Sequence, residues 1–357
     1  MKISSEDQIL ALLDEYFDPA PPALVLGRGD DCAEFAVSGV LALSTDLFLE
    51  DAHFRRRYFL PEEIGHKALA VNLSDLAAAG ADPLAFSLGL ICPPDLEADW
   101  LRALFRGMSA LAGRHGLVLS GGDLSAGDRL GFCITVWGRP VGRLGALRRG
   151  ALPGQDLFVI GPGLELEDSV CSLGLARLGL SLLEEKGRSA LEDYPGACAA
   201  LLRPEPQVEA GKAIASLVSL AENLYLMDVS DGLMRDLPRL LRGSMRGTPP
   251  GADLDLSSRL LHPELRGFTC PAPSASGEAS EPALGSALEL ALSGGDDYLL
   301  LGAAAPELLP RLAAVLRDLP SAPCLTRIGR VEKTPGLRCR GLPLEQCPGI
   351  GAFDHFG

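Results

Sequence analysis

The chain has 357 residues, 47% of them hydrophobic and 22% charged, a globular balance long enough for two domains and unlike that of a disordered protein. Its 47 acids outnumber 32 bases for a net charge of −15, which argues against nucleic acid or an anionic membrane as the main partner. Phosphates stay open as ligands, provided the acids hold divalent metals that reverse the local sign.

Strand-like and helix-like segments alternate, which predicts an α/β or α+β fold. "VLALSTDLFL" (40–49) predicts a strand that runs into an Asp. "PEEIGHKALAVNLSDLAAAGADP" (61–83) has helical periodicity, with Pro61 suited to its start, Gly80 to its C-terminal cap and Pro83 to its stop. An amphipathic helix fits 95–115 with Asp95 as N-cap, followed by strands at "LVLSGGD" and "GFCITVWGRP". Gly, Arg and Pro crowd 139–156, which places a domain boundary there, between 1–145 and 146–357. "DLFVIG" restarts a strand, and helices are expected near 167–183 and 205–221. "NLYLMDVSDGLMRDLPRLL" reads as a strand, an acidic turn and a helix. The Pro-, Ser-, Ala- and Gly-rich stretch 262–286 reads as a flexible insertion, and a helix at 305–318 and a strand at 324–331 follow.

"MKISSEDQIL" has no apolar core of signal-peptide length, and no run of about 18 apolar residues predicts a membrane span. Nine scattered cysteines without a CxxC pair suggest reduced thiols in a cytoplasm, not zinc or disulfides.

The chemistry-bearing residues are carboxylates expected at strand ends and in Gly-rich turns: Asp30 and Asp31, Asp46, Asp75, Asp123, Asp228 and Asp231, and Asp296 and Asp297. Magnesium takes oxygen ligands, usually a few carboxylates completed by water and phosphates. Ser44 and Thr45 could add hydroxyl or carbonyl oxygens beside Asp46. Asp also serves as an ordinary N-cap or turn residue, and each motif alone admits that reading. Asp75 differs, because it lies with Asn72 as a polar stripe inside an apolar helical run, where a carboxylate needs a partner or a metal. GxxxxGK[ST], GxGxxG between strand and helix, GxSxG and HExxH are all absent.

In order, "GDDCA", "STDLFLEDAHF", "GHKALAVNLSDLAAAGADP", "SGGD", "DVSDGL", "SGGDDY" and "FDHFG" resemble the thiamine-monophosphate kinase family from about residue 26 to the C-terminus. The resemblance implies two α/β domains of the fold shared with aminoimidazole ribonucleotide synthetase, dimerised through the N-terminal halves. It implies ATP-dependent phosphorylation of thiamine monophosphate to thiamine diphosphate with several magnesium ions; since the acceptor phosphate oxygen is already ionised at neutral pH, direct in-line transfer without a phospho-enzyme is expected. Carried over residue by residue, it assigns Asp31, Ser44, Thr45, Asp46, Asp75, Asp123 and Asp228 to magnesium, and Asp231 to a further ion. Gly122, Asp123, Arg148 and Ser230 would meet ATP, with Arg149 a competitor for Arg148. His53, Asp296 and Phe353 would meet the thiamine phosphate.

The chain departs from the family pattern at "EDAHF", where Gly-Asn often precedes the His, and at Asp296, where Glu is usual. Phe353 replaces a frequent Tyr, and "GGDLSAGD" lacks the usual Thr-Thr-Arg. No departure removes an expected metal ligand. The rivals are another ATP-using member of the same fold group, such as a selenophosphate synthetase, and a non-catalytic nucleotide-binding relative. The first would carry a reactive Cys near its N-terminus, and the second would not need so many acids.

Overall fold

The computed structural model describes residues 3, 5–18, 24–28, 32–142, 150–162, 170–218, 222–242, 247–256, 260–267, 283–340 and 342–343. The chain divides into two compact units. Met1–Leu76, Ala81–Val141 and Leu202–Val208 form the first; Ala77–Gly80, Gly142–Leu201 and Glu209–Gly357 form the second.

The first unit holds α1 (Glu6–Tyr16), β1 (Ala42–Leu49), α2 (Pro61–Ala78), β2 (Ala81–Cys92), α3 (Ala98–Arg114), β3 (Val118–Ala126) and β4 (Gly131–Pro140). Its sheet runs β1-β4-β2-β3, with β2 and β3 parallel and the other pairs antiparallel. α2 is buried on nearly every side from Glu63 to Ser74, so its apolar residues form no single stripe. Pro61 opens it as expected, and Glu63 Oε2 accepts the Leu60 N–H at 2.7 Å, half of a capping box. Inside it, His66 meets the Pro204 carbonyl at 2.9 Å, and burial pushes its pKa down to about 4, so it is a neutral structural imidazole.

The helix expected over 61–83 ends at Ala78, with Gly80 in the left-handed region at φ 56°; residues from Ala81 onward are the unanticipated strand β2. Pro83 does not stop it, because β3 pairing begins only at Ala85 and no ladder bond on that side is lost. α3 starts later than expected: Glu97 is its N-cap, and Asp95 instead pairs with Arg56 Nη1 at 3.1 Å.

In the second unit the sheet order is β11-β10-β7-β9-β5-β8-β6. Its strands are β5 (Asp156–Gly161), β6 (Leu224–Val229), β7 (Gly251–Leu254), β8 (Leu299–Ala304), β9 (Cys324–Glu332), β10 (Leu337–Cys339) and β11 (Leu342–Pro343). The helices are α4 (Leu175–Lys186), α5 (Ala190–Asp193), α6 (Pro195–Leu202), α7 (Val208–Leu217), α8 (Leu233–Arg242), α9 (Pro263–Gly267), α10 (Ala283–Ser293) and α11 (Leu309–Arg317). β5 and β8 are buried at every residue, as their unbroken apolar runs require of central strands. Both ends of the 262–286 stretch are helical, in α9 and α10; residues 268–282 lie outside the described ones.

Seven described cysteines are free thiols, and Cys92, Cys171, Cys198 and Cys339 are buried. Burial pushes Cys171 up to about 12, which makes it unreactive. Among the described residues no helix is long and apolar enough to cross a membrane.

α2 and α3 touch backbone to backbone through two glycines. A Cβ on Gly65 would lie 2.0 Å from the Leu104 carbonyl oxygen, and one on Gly107 would lie 2.0 Å from that of Glu62. Gly65→Ala is therefore expected to cost about 2 kcal/mol or more in urea unfolding. Gly113→Ala, in α3 with open space around it, should instead add up to about 1 kcal/mol. Equal effects at the two positions would refute this packing.

Candidate active site

Strand alternation sorts the β1 side chains onto two faces. Ser44 and Asp46 share one, and the Ser44 hydroxyl donates to Asp75 Oδ2 on α2. Burial first, and then the Asp75 carboxylate, push Asp46 up to about 6. Two mutually repelling carboxylates and a hydroxyl, all oxygen donors, suit a hard divalent cation such as magnesium. Asn72, one turn before Asp75, is fully buried; its amide donates to Ala68 O at 3.0 Å, while its Oδ1 has no hydrogen bond among the described residues.

Two predicted ligands stand apart from this group. Thr45 is on the opposite, exposed face, where its hydroxyl meets that of Thr135 at 2.8 Å, so only its main chain could join Asp46. Asp123 is not in a turn but inside β3. The pairing register sets it in line with Gly89, Cys133 and Leu47, on the exposed face with Thr45. Asp46 likewise sits within a strand and not at its end. Gly122 is required sterically: a Cβ there would lie 1.9 Å from the Leu88 carbonyl oxygen.

His53 follows β1 in a turn that Asp51 enters at φ 66°, a left-handed conformation that Asp, like Asn, adopts more readily than most residues. Asp51 and Ala52 stand here where a Gly-Asn pair often precedes the His. The imidazole rests 5.8 Å from the Phe48 ring, which itself stacks on Phe54 at 4.9 Å. The Leu49 N–H donates to His53 Nδ1 at 3.0 Å, so a neutral ring carries its proton on Nε2.

In the second unit two loops lie at one end of the sheet and are laced together. After β6, the carbonyls of Val229 and Ser230 accept the N–H groups of Tyr298 and Asp296, each at 2.8 Å. A Cβ on Gly232 or Gly295 would strike the other loop's carbonyls at 2.8 Å, so the glycines of "SDG" and "SGG" serve this close approach. Asp296 and Tyr298 both take left-handed conformations, at φ 69° and 50°, and the Tyr298 hydroxyl donates to Asp296 Oδ1 at 2.9 Å. Asp297 points elsewhere, accepting Gly174 N at 2.7 Å and Ala176 N at 3.4 Å to cap α4; burial raises its pKa, and those N–H groups oppose the rise.

On the other side of the first loop stands Asp236 of α8. Its Oδ2 accepts the N–H of Ser230 at 3.1 Å and of Asp231 at 3.0 Å. Arg239 Nη1 bridges Asp231 Oδ2 at 2.7 Å and Asp236 Oδ1 at 2.8 Å. Burial pushes Asp236 up to about 6, against the pull of the Asp231 N–H. Asp236, Arg239 and Tyr298 escaped the sequence reading; the signal for Asp236 was an acid on the apolar face of α8.

Ser44, Asp46 and Asp75 are thus brought together in one unit, and Asp228, Ser230, Asp231 and Asp296 at one end of the other. Asp31, Arg148, Arg149 and Phe353 lie outside the described residues. Among the described residues no three His, Cys, Asp or Glu side chains close into one metal cage.

The chain resembles known proteins in sequence and in fold. Residues 29–139 match the family model "AIR synthase related protein, N-terminal domain". The chain is 30% identical to the thiamine-monophosphate kinase of Haemophilus influenzae over 97% of each chain, and 33% identical to that of Mycobacterium tuberculosis over 79% of this chain and 75% of the other. The chain belongs to the thiamine-monophosphate kinase family. A solved thiamine-monophosphate kinase from Stenotrophomonas maltophilia shares its fold with a TM-score of 0.73 at 32% identity, covering 96% of this chain and 98% of that one. A structure described as AaThiL complexed with AMPPCP and TMP matches at TM-score 0.64 and 28% identity over 85% of each chain. The hydrogenase maturation protein HypE of Escherichia coli, at 20% identity and TM-score 0.67 over 98% of this chain and 96% of that one, shares the fold alone.

In a thiamine-monophosphate kinase family member built this way, Asp46 should cost stability when no cation is bound. Its folded pKa, about 6, exceeds the ordinary 3.8, so its unfavourable contribution is complete above pH 6 and fades as pH falls towards 4. Asp46→Asn should therefore raise the melting temperature of metal-free protein at pH 7.5, by an amount that shrinks between pH 6 and 4. A pH-independent effect would contradict the placement of Asp46.

Proposed function

We propose that the chain catalyses ATP-dependent phosphorylation of thiamine monophosphate to thiamine diphosphate, the last step in making that cofactor. The observation that carries this is the family relationship along nearly the whole chain, together with a fold neighbour described as complexed with AMPPCP and TMP, which we read as an ATP analogue and thiamine monophosphate. An oxygen of the acceptor phosphate attacks the γ-phosphorus of ATP in line, and the bond to the departing ADP breaks. The acceptor oxygen is already ionised at neutral pH, so neither a strong general base nor a protein nucleophile is needed. Magnesium, when bound, neutralises the phosphate charge.

On this reading Ser44, Asp46 and Asp75 hold one magnesium site, with Thr45 adding a main-chain oxygen. Asp31 and Asp123 hold cation and phosphate elsewhere in the first unit. Gly122 offers backbone with no side chain in the way, and Ser230 and Arg148, or Arg149 beside it, meet the nucleotide. Asp228 and Asp231 bind magnesium in the second unit. Asp296, held by Tyr298, faces the thiamine phosphate, as do His53 through its Nε2 proton and Phe353 through its ring. The exposed face of the first unit's sheet carries Leu43 and Leu47, which supports a homodimer formed through the N-terminal halves, and we place the enzyme in the cytoplasm.

Supplying ATP, magnesium and thiamine monophosphate should give thiamine diphosphate and ADP, with no labelled phosphoryl group left on acid-quenched protein. Asp75→Asn should lower turnover about 100-fold and raise the magnesium needed for half-maximal rate while the protein stays folded. Near-normal turnover of this variant at low magnesium would sink the assignment.

A further inference from the structure

The Asp236 side chain is completely buried, and its hydrogen bonds go to the loop that carries Ser230 and Asp231 and to Arg239. One oxygen gathers two consecutive backbone N–H groups, at 3.1 and 3.0 Å, and the other receives Arg239 at 2.8 Å. Two N–H groups converging on one carboxylate oxygen fix the turn between them. That turn decides where the Asp231 carboxylate points. Arg239 Nη1, bound to both acids, sets a positive charge 2.7 Å from Asp231 Oδ2, where a metal ligand would receive its ion. Its side chain remains 50% exposed, so it can leave without unpacking the core.

We propose that Asp236 is a positioning residue that holds the Ser230–Asp231 turn in its cation-ready shape, and that Arg239 is an exchangeable counter-ion occupying Asp231 until a divalent cation displaces it. The proposal rests on the reading of Asp231 as a magnesium ligand. It goes beyond that reading by giving two neighbours opposite effects. Asp236 promotes cation binding, because without it Asp231 loses its fixed direction. Arg239 opposes binding, because the cation must first remove it from the carboxylate.

The test uses the full chain without nucleotide and follows Mn2+ binding by electron paramagnetic resonance and calorimetry. Asp231→Asn identifies the ion in question as the one that this change removes. For that ion, Asp236→Asn should weaken binding about tenfold. Arg239→Gln should tighten it about threefold, the effect of removing one half-exposed competing charge. A purely structural role for the two residues would weaken binding in both variants or in neither. Should Asp236→Asn fail to fold, Arg239→Gln alone decides, since its side chain is half exposed. Unchanged or weaker Mn2+ binding by Arg239→Gln overturns the proposal, as does an Asp231→Asn variant that loses no ion. A parallel assay of unmodified protein with ATP and thiamine monophosphate keeps the two readings apart. Failure there, with the Mn2+ results as expected, removes the kinase assignment and leaves the Asp236–Arg239 proposal standing.

Discussion

Burial first, and then the neighbouring Asp75 carboxylate, oppose the charge on Asp46. A mobile surface pair would swing apart. These cannot, because Asp46 lies in a strand paired along its whole length with β4, and Asp75 rides on a helix locked against α3 by Gly65 and Gly107. Their repulsion is therefore relieved by a proton or by a cation. At neutral pH the proton is mostly absent from Asp46, and a divalent cation with its attendant phosphates is the natural resolution. On the proposed reading, negative charge that burdens the empty protein would become binding capacity for magnesium nucleotide.

The second unit manages the same problem differently. Asp231 is shared with Arg239, and Asp236 is compensated by two backbone N–H groups and the same guanidinium. Its two functional loops are fixed by main-chain hydrogen bonds, for which glycines clear the way, and not by packed side chains. Backbone lacing of this kind tolerates substitution of neighbouring side chains while keeping the carboxylates in register. The Tyr298 hydroxyl fixes the carboxylate of Asp296, one methylene shorter than the family's usual Glu.

Much of the architecture could be read from residue order. The helical pattern read over 61–83 contains α2, though it overruns its end at Ala78, and the β-rich run ending at Leu49 marks β1. β2 was hidden because it follows a helix after two residues and carries a proline near its start, where pairing with β3 has not yet begun. The string "LSGGD" occurs twice, in two different settings. At 119–123 it lies within a strand, with Gly122 needed to clear Leu88; at 292–296 it leaves a helix and bends into a left-handed turn. The acids were visible individually, and the pairing of Asp46 with Asp75 was not, since it depends on a helix crossing the correct face of β1. Asp236 was passed over for a related reason. An acid in the first turn of a helix looks like a dipole partner until the loop it grips is seen.

The central claim is that fold-imposed crowding of acids creates the cation sites on which phosphoryl transfer depends. Its most direct test is a crystal structure of the chain with Mn2+, a non-hydrolysable ATP analogue and thiamine monophosphate, with manganese located by anomalous scattering. One ion should touch Asp46 and Asp75, and another should touch Asp231 with Arg239 moved off that carboxylate. Manganese bound to the phosphates alone, with Asp46, Asp75 and Asp231 left uncoordinated, would contradict the account.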